Sequence, residues 1–193
     1  MNNWFNLIPV LLILTASLAL LIFDVWRRSV VALAVLYLGI FILLVQSAPL
    51  TLSSVKLITG WAAALILAMN LPKEETTSDT GLFSNQIFKT LSLGLIWVLA
   101  YLISKSISKT FQVSPEIVFS ALAIFGAGLL QLGMKFRPFS VILAILTVFA
   151  GFELLYASLE TSVLINGLLS AINLLIALIG SYFAGFNQVE DQP

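Results

Sequence analysis

The chain has 193 residues, 60% of them hydrophobic and only 9% charged, against about 25% charged in a typical soluble domain. Water is not the main solvent for such a chain, which reads as an all-α, polytopic membrane protein. Nine basic residues balance nine acidic ones, so the basic stripe needed to neutralise nucleic-acid phosphates is missing. Cysteine and histidine are both absent. This excludes disulfides, thiol nucleophiles, imidazole bases, haem ligation and ordinary zinc, copper or iron–sulfur sites. No cofactor or metal is expected, and any redox centre would lie in another chain.

At about 20 apolar residues per crossing helix, seven segments qualify, covering approximately 4–25, 29–48, 50–71, 87–107, 115–134, 139–160 and 163–186. The first carries no basic residue before Arg27 and is too long for a signal-peptide core, so it reads as a retained span. Pro9, Pro115 and Pro138 are placed at first-turn positions, where a missing N–H is tolerated. Trp4 and Trp26 suit opposite interfacial belts, and Asp24 is expected to pair beside Arg27 and Arg28. The second span follows at once, and Pro49 and Pro72 bracket the third.

Lys56 falls a few residues inside the third span. Two readings are open: snorkelling to the interface, or partnership with a buried acid. Gly60, Ala64 and Ala68 form a small-residue stripe on the same segment, with Ala123 and Ala127 on the fifth and Gly167 and Ala171 on the seventh. All three are assigned to close helix packing within the bundle. Pro72 to Gln86 is the hydrophilic connector, too small for a soluble catalytic domain, and a connecting helix spans 87–109. Ser114-Pro115-Glu116 reads as an N-cap, a proline at N1 and a dipole-favoured acid.

The sixth span contains the anomaly of the chain. Glu153 lies in the unbroken apolar run AGFELLYASLETSVLING, Ala150 to Gly167, and an intramembrane carboxylate needs a partner or a task. A turn near Ser158 would place it about 8 Å from the helix end, whereas a turn at Asn166-Gly167 would place it near the midplane. Glu160, seven residues on, falls on the same helical face. The structural reading of Glu153 is an ion pair or a protonated, hydrogen-bonded carboxyl. The functional reading is a proton- or ion-path carboxylate tuned by desolvation and a nearby lysine. Lys56 reaches a comparable depth and is the candidate partner. Asn173, on the final span, is a candidate for a hydrogen bond between helices.

Arg27, Arg28, Lys73, Lys89, Lys135 and Arg137 fall on one side of the seven spans, and Lys105 and Lys109 on the other. By the positive-inside rule the N-terminus is outside and the acidic tail at 187–193 is cytoplasmic, in a cell inner (plasma) membrane. The whole chain reads as one transmembrane domain with a first helical unit at 1–71, the loop at 72–86 and a last unit at 115–186. At an offset of 109 residues, APLTLSS (Ala48 to Ser54) falls on ASLETSV (Ala157 to Val163). Spans one to three and five to seven thus form a possible parallel repeat.

The segment LAIFGAGLLQLGMKFRPFSVILAILTVFAGFELLYASLETSVL resembles the three-helix small K-type subunit of respiratory complex I, including a G-x-E-hydrophobic-hydrophobic signature at Gly151-Phe152-Glu153-Leu154-Leu155. The length, the seven-span plan and the segments WRRSVVALAVLYLGIFILL and SSVKLITGWAAALILAMN look more like the component E family of hydrogenase-four and formate hydrogenlyase. That family is itself K-like in its C-terminal part, and Lys56 stands where it carries a lysine. The K-type subunit has a second intramembrane glutamate on its last helix; here that neighbourhood offers Asn173. The resemblance implies a non-redox membrane-arm subunit beside antiporter-like subunits, with Glu153 on the proton path and Lys56 and Glu160 as accessory positions. Such a chain is no enzyme alone, though it could belong to an oxidoreductase complex. Two other classes stay open: a stand-alone small transporter or channel, against which the unbroken spans speak, and a structural scaffold or assembly subunit.

Overall fold

A computed structural model of the chain describes residues 4–23, 25–69, 82–135, 137–160 and 162–186. All regular structure among them is helical: α1 (Trp4–Ile22), α2 (Trp26–Leu44), α3 (Leu50–Met69), α4 (Leu82–Phe111), α5 (Pro115–Met134), α6 (Pro138–Leu159) and α7 (Val163–Phe186). Six of these, α2 to α7, are long and apolar enough to cross a membrane, while α1 contributes a shorter apolar stretch, Leu7–Ile22. The protein is a multi-pass membrane protein. Asp24 and the tail at 187–193 lie outside the described residues, as does most of the polar connector.

The helices form two layers in register. In one, α1 packs on α2 and α2 on α3; in the other, α5 packs on α6 and α6 on α7. Each helix of the first layer also meets its counterpart in the second: α1 on α5, α2 on α6 and α3 on α7. The remaining helix, α4, leans on the outer edge against α5 and α1. The core between the layers is built from Ile13, Leu33, Leu36, Ala63, Ile124, Leu146, Ala150 and Leu154, among others. Large apolar side chains such as Leu65, Leu91, Leu164 and Leu178 point outward, as lipid-facing positions require.

Glycine sets the closest approaches. A Cβ on Gly151 of α6 would stand 2.6 Å from the Phe125 backbone nitrogen and 2.8 Å from the Ala121 carbonyl oxygen of α5. One on Gly60 of α3 would run into the Tyr37 ring of α2. Ala123 and Ala127 are fully buried, so the first two small-residue stripes pack within the bundle. The third does not. Gly167 and Ala171 are exposed, and a Cβ at Gly167 would meet nothing within 4 Å. Small size permits close packing but does not choose which face of a helix is buried.

Several ends differ from the hydropathy reading for physical reasons. Pro9 sits within α1 and not in its first turn, because the helix starts at Trp4; the Phe5 carbonyl therefore lacks its usual amide donor. The helix α4 extends beyond its apolar run at both ends, since helicity outlasts hydrophobicity where a helix emerges from lipid. It stops at Gln112, whose φ of 56° is left-handed, a geometry that usually selects glycine at this position. Ser114 occupies the N-cap of α5 but offers its carbonyl, not its hydroxyl: Ile117 N and Val118 N donate to Ser114 O at 3.1 and 3.3 Å.

Two stability predictions follow from this packing. Gly151→Ala should destabilise the protein by about 1–3 kcal/mol, because only backbone lies in the path of the new methyl. Gln112→Gly should stabilise it by about 1 kcal/mol by removing a Cβ from a left-handed residue. Thermal or denaturant unfolding of the purified protein in detergent measures both.

Candidate functional site

The α3 helix begins as Leu52 N and Ser53 N donate to the Pro49 carbonyl, and Lys56 follows six residues after Leu50. On α6, Glu153 lies six residues before Leu159. Each is therefore about 9 Å from its helix end at 1.5 Å per residue. The α6 helix ends at Leu159 and α7 begins at Val163, so Glu153 belongs to the third of α6 nearest the α6–α7 connection, not to the middle of the helix.

The Lys56 ammonium donates to Glu153 Oε1 at 2.6 Å and to the Asn166 carbonyl oxygen at 3.4 Å. Both side chains are almost wholly enclosed, at 3% and 2% exposure. Lys56 does not snorkel; it points inward to the acid. The G-x-E spacing explains how α6 presents that acid. Residues two apart on a helix are separated by about 200°, so with Gly151 pressed against α5, Glu153 faces away from α5 toward α3 and α7.

The α7 helix supplies the polar surroundings through an inward stripe of Asn166, Ser170, Asn173 and Ser181, all buried, while Leu164, Leu168, Leu175, Leu178 and Phe183 face outward. Such an inverted helix suits a lipid solvent, where polar groups must find partners inside. Asn166 Nδ2 donates to the Glu160 and Ser162 carbonyl oxygens at 3.0 and 3.1 Å, and Ser170 Oγ to the Asn166 carbonyl at 2.9 Å. One turn beyond Lys56, the Tyr37 ring covers Gly60 and its hydroxyl meets Asn173, lying 2.9 Å from Nδ2 and 3.2 Å from Oδ1. Ser181 Oγ donates to the Ile66 carbonyl at 3.2 Å. Polar contacts thus run down the α3–α7 seam from the α6–α7 turn past the middle of the bundle.

Glu160 does not join Glu153. It caps α6 in an extended conformation, is exposed, and accepts from Ser162 N at 3.3 Å. Its relation to a face of α6 ended with the helix itself. Its backbone oxygen, not its carboxylate, meets Asn166. Lys135, at the opposite end, is largely buried and donates to the Leu20 and Phe23 carbonyl oxygens at 2.9 and 3.1 Å. It thereby satisfies orphan acceptors at the negative end of α1. At the same end of the bundle as the Lys56–Glu153 pair, an open cavity of about 320 Å³ lies among Gln46, Ser47, Gln112, Ser114, Glu116 and Ser158.

Asn173 bridges helices as its residue type suggested, but its partner Tyr37 was not singled out from the sequence. A tyrosine inside an apolar span is a usable signal, because a buried phenol hydroxyl normally takes a partner. The spacing of Asn166, Ser170, Asn173 and Ser181 at helical intervals is another. Among the described residues no group of three or more acidic side chains converges to hold a metal ion. No protein-family profile, curated protein or solved structure gives a significant match to this chain, so the site is read from its geometry.

Removing one member of a buried pair leaves the other charge uncompensated, whereas removing both does not. Lys56→Met and Glu153→Leu should each destabilise the protein by about 3–5 kcal/mol, and the double variant by much less than the sum. Additive losses in a double-mutant cycle of unfolding free energies would show that the two side chains are energetically independent.

Proposed function

We propose that the protein is a non-redox membrane-arm subunit of a proton- or sodium-translocating complex related to NADH:quinone oxidoreductase and membrane-bound hydrogenases. Glu153 is the carboxylate that takes up and releases the ion, and Lys56 is its counter-charge. The observation that supports this reading is the enclosed Lys56–Glu153 pair at 2.6 Å, set on a polar seam between helices. A carboxylate in a low-dielectric interior holds its charge only beside a cation, so its occupancy and the position of Lys56 are coupled. If Lys56 withdraws, Glu153 binds a proton; if Lys56 returns, the proton leaves. The chain has no cysteine or histidine, which accords with redox centres residing in partner subunits. Antiporter-like subunits are the natural neighbours, since their own ion sites can respond to the charge state of Glu153. Glu160, exposed at the α6–α7 turn, would lie on the approach to the site.

In the assembled complex in proteoliposomes, Glu153→Gln should preserve assembly and lower ion translocation at least tenfold. Full translocation in that variant would return the pair to a purely structural role. Solute flux through liposomes holding this chain alone would point to a self-contained transporter. The proposed orientation in a cell inner membrane has its own measurement, helped by the absence of native cysteine. A cysteine at Ser78 should react with an impermeant maleimide only from the cytoplasmic side, and one at Gln112 only from the outer side.

A further inference from the structure

The bridge between Tyr37 of α2 and Asn173 of α7 is the next polar contact inward from the Lys56–Glu153 pair. Gly60 follows Lys56 by four residues, so it lies on the same face of α3 and about 6 Å deeper, and the Tyr37 ring covers it. On α7, Asn173 follows Asn166 by seven residues, and the Asn166 main-chain oxygen already meets the Lys56 ammonium. Tyr37, Asn173, Lys56 and Glu153 are all buried. Both contacts thus share one enclosed stretch of the seam, and the Glu153 charge acts on the Tyr37 hydroxyl.

The hydroxyl is held side-on to the amide, 2.9 Å from Asn173 Nδ2 and 3.2 Å from Oδ1. A phenol has one hydrogen, and hydrogen bonds weaken steeply when bent below about 120°, so it cannot make both bonds well at once. Either it donates to Oδ1, or it accepts from Nδ2 and its own hydrogen points elsewhere. The two arrangements differ in the direction of the O–H dipole and in little else, so the local field chooses between them. In a low-dielectric interior the nearby charges dominate that field. A charged Glu153 draws the hydrogen off Oδ1. When Glu153 is protonated, the Lys56 ammonium is the remaining charge and turns the hydrogen back. No contact between phenol and carboxylate is needed, because a charge orients a dipole through space.

We infer that Tyr37 is a positioning residue for ion exchange at Glu153. Its hydroxyl turns on Asn173 between two hydrogen bonds according to the charge of the acid, and so passes the state of the site to α2 and α7. The inference rests on the reading of Glu153 as the ion-exchanging carboxylate and extends it inward to a second contact. The phenol keeps its hydrogen throughout, and no covalent bond of Tyr37 or Asn173 forms or breaks. Other titratable groups on the elements around Glu153 lie at helix ends or on outer faces. On α6 itself, Tyr156 stacks on the exposed Phe152, Arg137 precedes the helix and Glu160 follows it. Glu116 and Lys135 mark the two ends of α5, Arg27 and Arg28 the start of α2, and Tyr182 the last turns of α7.

The test uses the full chain in lipid nanodiscs. Infrared difference spectra across a pH titration should contain a protonated-carboxyl band that disappears in Glu153→Gln, which fixes the Glu153 transition. Raman spectra of the same samples carry a tyrosine ring doublet whose intensity ratio distinguishes a donating from an accepting phenol, and Tyr37→Phe identifies the Tyr37 share. That share should change along the Glu153 transition and stop changing in Glu153→Gln. Tyr37→Phe keeps the ring over Gly60 and removes only the hydroxyl. The proton affinity of Glu153 should then rise at least about threefold, because the O–H dipole no longer stabilises the charged form. A Tyr37 signal that ignores the Glu153 transition, a smaller rise in Tyr37→Phe, or no Glu153 band at any accessible pH would overturn the inference. Lost ion transport in Glu153→Gln with a silent Tyr37 would overturn it while leaving the ion-exchange reading intact. Co-titration with normal transport in Glu153→Gln would support the hydroxyl switch and remove the ion-exchange role.

Discussion

A lysine and a glutamate enclosed at 2.6 Å between α3 and α6 are the contact on which the rest of this structure depends. In lipid neither charge can be left alone, and neither can reach water without tearing its helix from the bundle. Their union decides which face of α3 and which face of α6 point inward. It also brings α7 into the contact, because the ammonium takes the Asn166 carbonyl as well. Apolar packing alone would leave these rotations weakly determined, since a leucine gains almost as much from lipid as from another leucine. Polar pairing provides the specificity that hydrophobicity cannot provide here.

The same logic organises α7. Its inward face carries two asparagines and two serines and its outward face leucine and phenylalanine, the reverse of a helix in a water-soluble protein. Every inward polar group reaches another helix or its own backbone, save Asn166 Oδ1. Tyr37 reaches in from α2 to Asn173, and its ring needs Gly60 beneath it. Two glycines therefore serve the polar seam from opposite sides. Gly60 makes room for the tyrosine, and Gly151 lets α6 sit close enough to α5 that its other face is free for Glu153.

An enclosed acid beside a single cation is the group that the proposed role calls on to exchange an ion. This gives physical content to an ion-exchange role without any metal or redox group in the chain. In the proposed role, the position of the pair, about 9 Å from the α6–α7 end of its helices, would put the exchange step toward that end of the bundle. A complete path across the membrane would then be shared with neighbouring subunits, consistent with a role inside a larger complex.

Composition and hydropathy alone determined the solvent, the helical class and the seven helices, because a bilayer admits few ways to satisfy a backbone. They also singled out Lys56 and Glu153, since a charge in an apolar run is visible without any structure. Helix ends were legible only where proline or a polar cluster marked them, as at Ser114-Pro115 and near Ser158–Glu160, and not at Pro9 or Gln112. Which faces turn inward was decided by tertiary structure. The Gly167–Ala171 stripe resembles the Gly60–Ala64 stripe, yet one faces lipid and the other packs under a tyrosine. Glu160 shares its helical phase with Glu153 only as long as the helix continues, and it does not. The partnerships Lys56–Glu153 and Tyr37–Asn173 join residues 97 and 136 positions apart. Local periodicity carries no information at that range; the register of helices against one another does.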